Sequence, residues 1–137
     1  MTTASESIQV AHCQCGALSA TCRGTPWRVS LCHCNACKRR TGSAFGVQAT
    51  FDAAQVTLTG EPVTYTRYGD EGHWGRMAFC GTCGTTLWWE IERRPGAVTL
   101  ALGGFGGNPY GPPTHAVYGE CAMSDVAAKI VPEPVQQ

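Results

Sequence analysis

Seven of the nine cysteines in this sequence stand in tight groups, Cys13-x-Cys15, Cys32-x-Cys34-x-x-Cys37 and Cys80-x-x-Cys83. Spacings of one or two residues aim sulfurs at a common point, whereas disulfides more often join distant segments. The odd number and the lack of a secretory signal also favour metal ligation over oxidation. Cys80-Gly81-Thr82-Cys83-Gly84, with a strand-like Met77-Ala78-Phe79 before it and Leu87-Trp88-Trp89 after it, has the form of a zinc knuckle. Two sulfurs converge at such a turn, and Gly84 supplies the backbone freedom it needs. A knuckle offers two ligands and a structural zinc takes four. Cys13-Gln14-Cys15-Gly16, another turn leading into a strand, is the natural complement. Cys13, Cys15, Cys80 and Cys83 are therefore expected to close one saturated structural zinc site, with iron of the rubredoxin kind as the alternative, since ligand type alone does not separate the two metals.

The third group, Cys32-His33-Cys34-Asn35-Ala36-Cys37, puts three thiols into six residues where a strand is expected to end and a helical turn to begin. Three protein ligands with a fourth position free is the pattern of a catalytic zinc, because that position takes water or a substrate thiol. A helix N-terminus also favours the thiolate form. Other readings stay open: His33 or another side chain fills the fourth position and makes a second structural site, or the three thiols hold no metal. Lys38, Arg39 and Arg40 follow directly. Arg39 and Arg40 are candidate carboxylate contacts for a substrate, set against the plainer reading of a solvated helix end, where cations are also favourable. His33 and His115 are candidate proton carriers. Cys22 lies in an alternating run and reads as a small buried apolar residue; Cys121 stays off the ligand list.

Short strands must position these groups. Apolar and β-branched runs recur between Gly, Pro and Asp at 17–22, 27–31, 44–51, 56–58, 63–68, 74–79, 87–91, 98–102 and 116–118. Only 36–41 and 124–129 read as brief helical turns, and seventeen glycines with eight prolines argue against long helices. The fold is expected to be mainly β, in one domain over 8–130 with flexible ends at 1–7 and 131–137. The Gly/Pro-rich stretch 103–113 reads as a surface loop without regular structure, either a connector or a flap beside a site. Trp88 and Trp89, adjacent on a strand, must face opposite ways.

The totals exclude several roles. Ten basic and ten acidic residues leave no net field for nucleic acid or an anionic membrane, and no apolar run approaches the roughly 20 residues that span a bilayer. The chain is expected to be soluble and cytoplasmic, with neither nucleic acid nor membrane as partner. A homo-oligomer is compatible with this composition.

The order of the cysteine groups, with His12-Cys13-Gln14-Cys15-Gly16-Ala17, the run from Cys32 to Ser43, Phe79-Cys80-Gly81-Thr82-Cys83-Gly84-Thr85 and Pro113-x-His115, resembles the glutathione-dependent formaldehyde-activating (GFA) family, which includes the centromere protein V relatives. The likeness runs from His12 to about Tyr118. It implies several small antiparallel sheets joined around a structural zinc, with Cys32, Cys34 and Cys37 matching the catalytic zinc ligands near a glutathione site. The implied reaction joins formaldehyde to glutathione as S-hydroxymethylglutathione, formally a carbon–sulfur lyase in reverse. Family members commonly carry a tryptophan after Pro-x-His, where this chain runs Ala116-Val117-Tyr118-Gly119-Glu120-Cys121-Ala122-Met123. A non-catalytic, zinc-stabilised thiol-binding module is the alternative function, and a nucleic-acid-binding zinc ribbon fits the balanced charge least.

Overall fold

The computed structural model describes residues 6–127. The expected flexible end at 131–137, the last residues of the 8–130 domain, and most of the 1–7 segment lie outside the described residues. Within them, β-branched and aromatic runs between turns give ten strands: β1 (Ile8–His12), β2 (Ser19–Arg23), β3 (Arg28–Cys32), β4 (Gly46–Asp52), β5 (Val56–Thr59), β6 (Val63–Tyr68), β7 (Trp74–Phe79), β8 (Thr86–Ile91), β9 (Ala97–Ala101) and β10 (His115–Val117). Two short helices, α1 (Asn35–Thr41) and α2 (Ser124–Ala127), accompany them. The fold is mainly β, as expected.

Two sheets carry the strands, one of three in the order β1-β2-β5 and one of seven in the order β10-β3-β4-β9-β8-β7-β6. All neighbours are antiparallel except β10 and β3, which run parallel with Val117 beside Cys32. That pair departs from the expected all-antiparallel arrangement. A parallel neighbour needs a crossover of a dozen or more residues, and the chain between β9 and β10 supplies it. β1 is a strand that the sequence reading left out. Its apolar residues Ile8 and Val10 point outward while the small Ala11 is buried, so its hydrophobic alternation has the opposite sense from its burial. Ser7, counted with the flexible end, is tied in by its carbonyl, which accepts from the Gly24 amide at 2.8 Å.

The core lies between the small sheet and one face of the large one. Ala11, Ala20 and Cys22 from the first meet Val29, Ala49, Phe51, Trp88, Val98 and Leu100 from the second. Trp88 belongs to this core. Its neighbour Trp89 points to the opposite face, as strand alternation requires, yet it is also buried, because Arg40 of α1 lies over its ring. That second face is more polar: Arg28, Thr50, Thr99 and Trp89 align across four strands, and the buried Thr50 and Thr99 hydroxyls bond each other at 3.1 Å.

The glycine-rich stretch after β9 is less irregular than expected. Leu102–Phe105 forms a single 3-10 turn, and Tyr110 packs edge-to-face on both Phe105 (5.3 Å) and the core residue Phe51 (5.6 Å). Two aromatic contacts thus fasten the loop to the core.

The end of the β2–β5 pair packs tightly at Gly60, whose φ of +99° suits glycine and whose missing side chain makes room for the Ala17 carbonyl and the Leu18 side chain. A methyl there would overlap that carbonyl. Gly60→Ala is therefore expected to lose about 2–4 kcal/mol in urea unfolding. Gly72→Ala, also at positive φ (+85°) but with nothing within 4 Å, is expected to lose only about 1–2 kcal/mol.

Candidate metal centres

Two hairpin turns meet at the first centre. The β1–β2 turn holds Cys13 and Cys15, the β7–β8 turn holds Cys80 and Cys83, and all four sulfurs lie within 4.8 Å of one another. Both turns have the same construction. The Gly16 amide donates to the Cys13 carbonyl at 3.0 Å, the Gly84 amide to that of Cys80 at 2.8 Å, and both glycines have positive φ. Backbone amides also donate to sulfur, Leu18 to Cys13 at 3.2 Å and Thr82 to Cys80 at 3.4 Å. The Gln14 amide clamps the turns together by donating to Thr85 Oγ1 at 3.1 Å.

These residues fit a tetrahedral metal. Sulfur separations are 3.7 Å for Cys13–Cys15 and 3.6 Å for Cys15–Cys80, close to the ~3.8 Å edge of a tetrahedron with metal–sulfur bonds of about 2.3 Å, and far from a disulfide bond of about 2.05 Å. Cys13 and Cys80 are buried, and the Thr85 hydroxyl and amide hold the Cys83 thiol down to about 5. This is the four-cysteine set expected from sequence, brought together.

Cys32, Cys34 and Cys37 form the second centre, their sulfurs likewise within 4.8 Å of one another. Cys32 ends β3 and is buried; Cys34 caps α1, its sulfur accepting from the Cys37 amide at 3.3 Å. β10 buttresses the group, pairing with Cys32 and accepting from the His33 amide at 3.1 Å through the Val117 carbonyl. Donation from Cys32, helped by Cys34 and by the Arg40 guanidinium, holds Cys37 down to about 5 against burial. Cys32, as donor to Cys37 and by its own burial, is pushed well up. Among the described residues no fourth Cys, His, Asp or Glu joins the triplet. His33 makes a T-shaped contact with Phe45 (ring centroids 6.0 Å apart), and His115 bonds Thr114 Oγ1 at 2.8 Å on an exposed strand.

Cys22 sits in the core, where burial pushes its thiol up to about 11, in keeping with an inert apolar role. Cys121 stands apart from both groups, but its carbonyl accepts from Lys38 Nζ. That bond docks the segment lacking the family's tryptophan onto α1. Tyr118, just before it, adopts the left-handed conformation (φ 56°) that carries the chain out of β10.

The structure parts the two candidate arginines. Arg39 is exposed and borders an open cleft of about 640 Å³ with Lys38, Phe45, Met123 and Val126. Arg40 lies 4.3 Å from the Trp89 ring centroid and borders a different cleft of about 560 Å³, walled by Gly46, Thr85, Thr86 and the glycines of 103–107. Arg40 Nη2 is buried without a hydrogen-bond partner. The cost of an unmet buried donor, about 1–3 kcal/mol, overlaps the about 0.5–2 kcal/mol of a cation–π contact, and Arg40 also acts on the Cys37 thiol. Sequence reading missed Gly46 and Thr85 as walls of this cleft and Trp89 as the ring beneath Arg40. Only the position of Thr85, directly after the knuckle glycine, signalled any of them.

Metal at four-thiolate sites binds with about 10–16 kcal/mol, as much as the net stability of a whole domain, about 5–15 kcal/mol. Cys80→Ser is therefore expected to unfold the chain, read as loss of the cooperative thermal transition. Cys34→Ser is expected to keep that transition within a few degrees while metal analysis shows one equivalent fewer. Equal collapse of both variants would overturn the division between the centres.

No curated protein matches the chain. A crystal structure of a Rhodobacter sphaeroides protein matches its fold with a TM-score of 0.56 at 20% identity, over 73% of this chain and 91% of that one. Residues 9–121 match the family described as glutathione-dependent formaldehyde-activating enzyme, a span that takes in both cysteine centres. The ordered cysteine groups, the paired turns and this match over most of the sequence establish that the chain belongs to the GFA family.

Proposed function

We propose that this protein is a zinc enzyme of the carbon–sulfur lyase class, joining glutathione or a related thiol to a small aldehyde such as formaldehyde to give S-hydroxymethylglutathione. The observation that supports this most is the three-cysteine centre without a fourth ligand among the described residues, beside Arg40, which itself borders a cleft. Zinc held by Cys32, Cys34 and Cys37 supplies Lewis acidity that favours an ionised thiol at neutral pH. Cys13, Cys15, Cys80 and Cys83 hold a second, structural zinc. We place the activity in one domain spanning 8–130 and in the reducing cytoplasm, where thiols persist as ligands.

In the net reaction the thiol sulfur bonds to the carbonyl carbon, and the carbonyl oxygen takes the pair of the broken π bond and the thiol proton. No oxidant or reductant enters. The chain's own groups have defined tasks in this reading. Cys34 anchors α1 through the Cys37 amide, so the three sulfurs stay at one point. Three thiolates around a dication leave a charge of minus one, and Arg40 beside Cys37 offsets it. Arg39 and Arg40 are the cations at hand for glutathione's two carboxylates. No described helix is long and apolar enough to cross a membrane.

Exchange NMR on 13C-formaldehyde with glutathione reads the forward and reverse rates above the uncatalysed background. The zinc-loaded wild type is expected to accelerate exchange, and Cys34→Ser to lose that acceleration by about 100-fold or more. Glutathione binding without acceleration would replace the enzyme by a non-catalytic thiol-binding module.

A further inference from the structure

Arg40, Cys37 and Gln48 converge on Gly46, whose missing side chain makes room for the guanidinium. A β-carbon on Gly46 would lie 2.8 Å from Arg40 Nη2, 3.4 Å from Cys37 Cβ and 3.6 Å from Gln48 Oε1. Two of these groups are unmet: Arg40 Nη2, a cationic donor, and Gln48 Oε1, an acceptor, are both buried with no hydrogen-bond partner. Buried polar groups in native proteins are almost always paired, so an orphan donor and an orphan acceptor at one spot point to a missing ligand or water. Arg40 Cζ lies 4.3 Å from the Trp89 ring centroid and the side chain borders the cleft, and a guanidinium grips carboxylates through its N–H edge. No carboxylate among the described residues forms an ion pair with Arg40, and none lines its cleft.

We propose that Arg40 binds a carboxylate lying within about one residue of the substrate sulfur, and so selects acidic thiols by their C-terminal side. This rests on the reading that a thiol is presented at Cys32, Cys34 and Cys37. The short reach between Cys37 and Nη2 around Gly46 decides which carboxylate is held. Glutathione carries one on the glycine adjoining its cysteine and a second at the far end of the γ-glutamyl arm. Only the glycyl group stays close to the sulfur. The adjoining amide N–H is the matching donor for Gln48 Oε1, and the glycine walls of the cleft let a peptide backbone approach closely. Arg40 is thus a specificity-determining residue, and Arg39, facing the other cleft, is outside this contact.

Calorimetry on zinc-loaded protein compares glutathione with its glycyl monoethyl ester, in wild type, in Arg40→Gln and in the charge-matched Arg67→Gln on the exposed strand β6. Arg40→Gln is expected to weaken glutathione roughly 10- to 100-fold. The ester is expected to bind the wild type with a similar loss, and Arg40→Gln to cost the ester nothing more, since the two changes remove the same contact. Gly46→Ala, which crowds Nη2, is expected to reproduce the pattern in a protein that keeps Arg40. Equal weakening of acid and ester by Arg40→Gln, or equal effects of Arg40→Gln and Arg67→Gln, would overturn the proposal. S-methylglutathione, titrated by NMR shift, keeps the carboxylate and removes the thiol. If glutathione binds no tighter than this analogue while Arg40→Gln still weakens both, the thiol reading falls and the carboxylate site stands; if neither ligand binds the wild type, both fall.

Discussion

Four sulfurs converge on one point where a turn of the small sheet meets a turn of the large one. Cys13 and Cys15 sit in the turn of the small sheet, and Cys80 and Cys83 in a turn of the large one, 65 residues apart between Cys15 and Cys80. Joining them closes a long loop, which costs chain entropy that no single hydrogen bond could offset. Metal binding free energy at such a four-thiolate site would be of the right size, and would count as folding free energy because the site does not exist in the unfolded chain. The amides that point at the sulfurs and the bond from the Gln14 amide to Thr85 shape the turns to receive the ion.

With the turns joined, the large sheet is used on both faces. One face builds the core with Phe51, Trp88 and Leu100; the other carries Thr50, Thr99 and Trp89 and receives α1. The central strand β9 is consequently buried along Val98, Thr99 and Leu100, although one of the three is polar. Its hydroxyl is tolerated because Thr50 pairs with it. A sheet covered on both sides offers a stiff floor for α1. The three-cysteine centre lies at the junction, with Cys32 on the strand, Cys34 at the helix N-cap and Cys37 in the first turn of the helix.

Residues that follow the two centres also share one cleft. Thr85 and Thr86 follow the knuckle, Arg40 and Gly46 follow the triplet, and the glycines of 103–107 close the side. The four-cysteine turn thereby sets the position of a cleft wall as well as the stability of the fold. Thr85 links these roles directly, since its hydroxyl lies 3.3 Å from the Cys83 sulfur and accepts from Gln14 while the residue borders the cleft.

Local chemistry was legible in the sequence. Spacing within six residues dictates that Cys32, Cys34 and Cys37 converge, a glycine after each pair marks the knuckle turns, and β-branched runs mark nine of the ten strands. These are properties of a few consecutive residues, and short-range sterics decide them. Strand β1 escaped because its larger apolar side chains face outward, and the parallel pairing of β10 escaped because direction depends on the path of the crossover. Arg39 and Arg40 are chemically alike and adjacent. Only the packing of α1 on the second sheet face turns one toward Trp89 and Cys37 and leaves the other exposed. Gly46 and Gln48 carry no motif at all; they matter because β4 runs beneath the helix, a placement set by long-range strand order that no local pattern encodes.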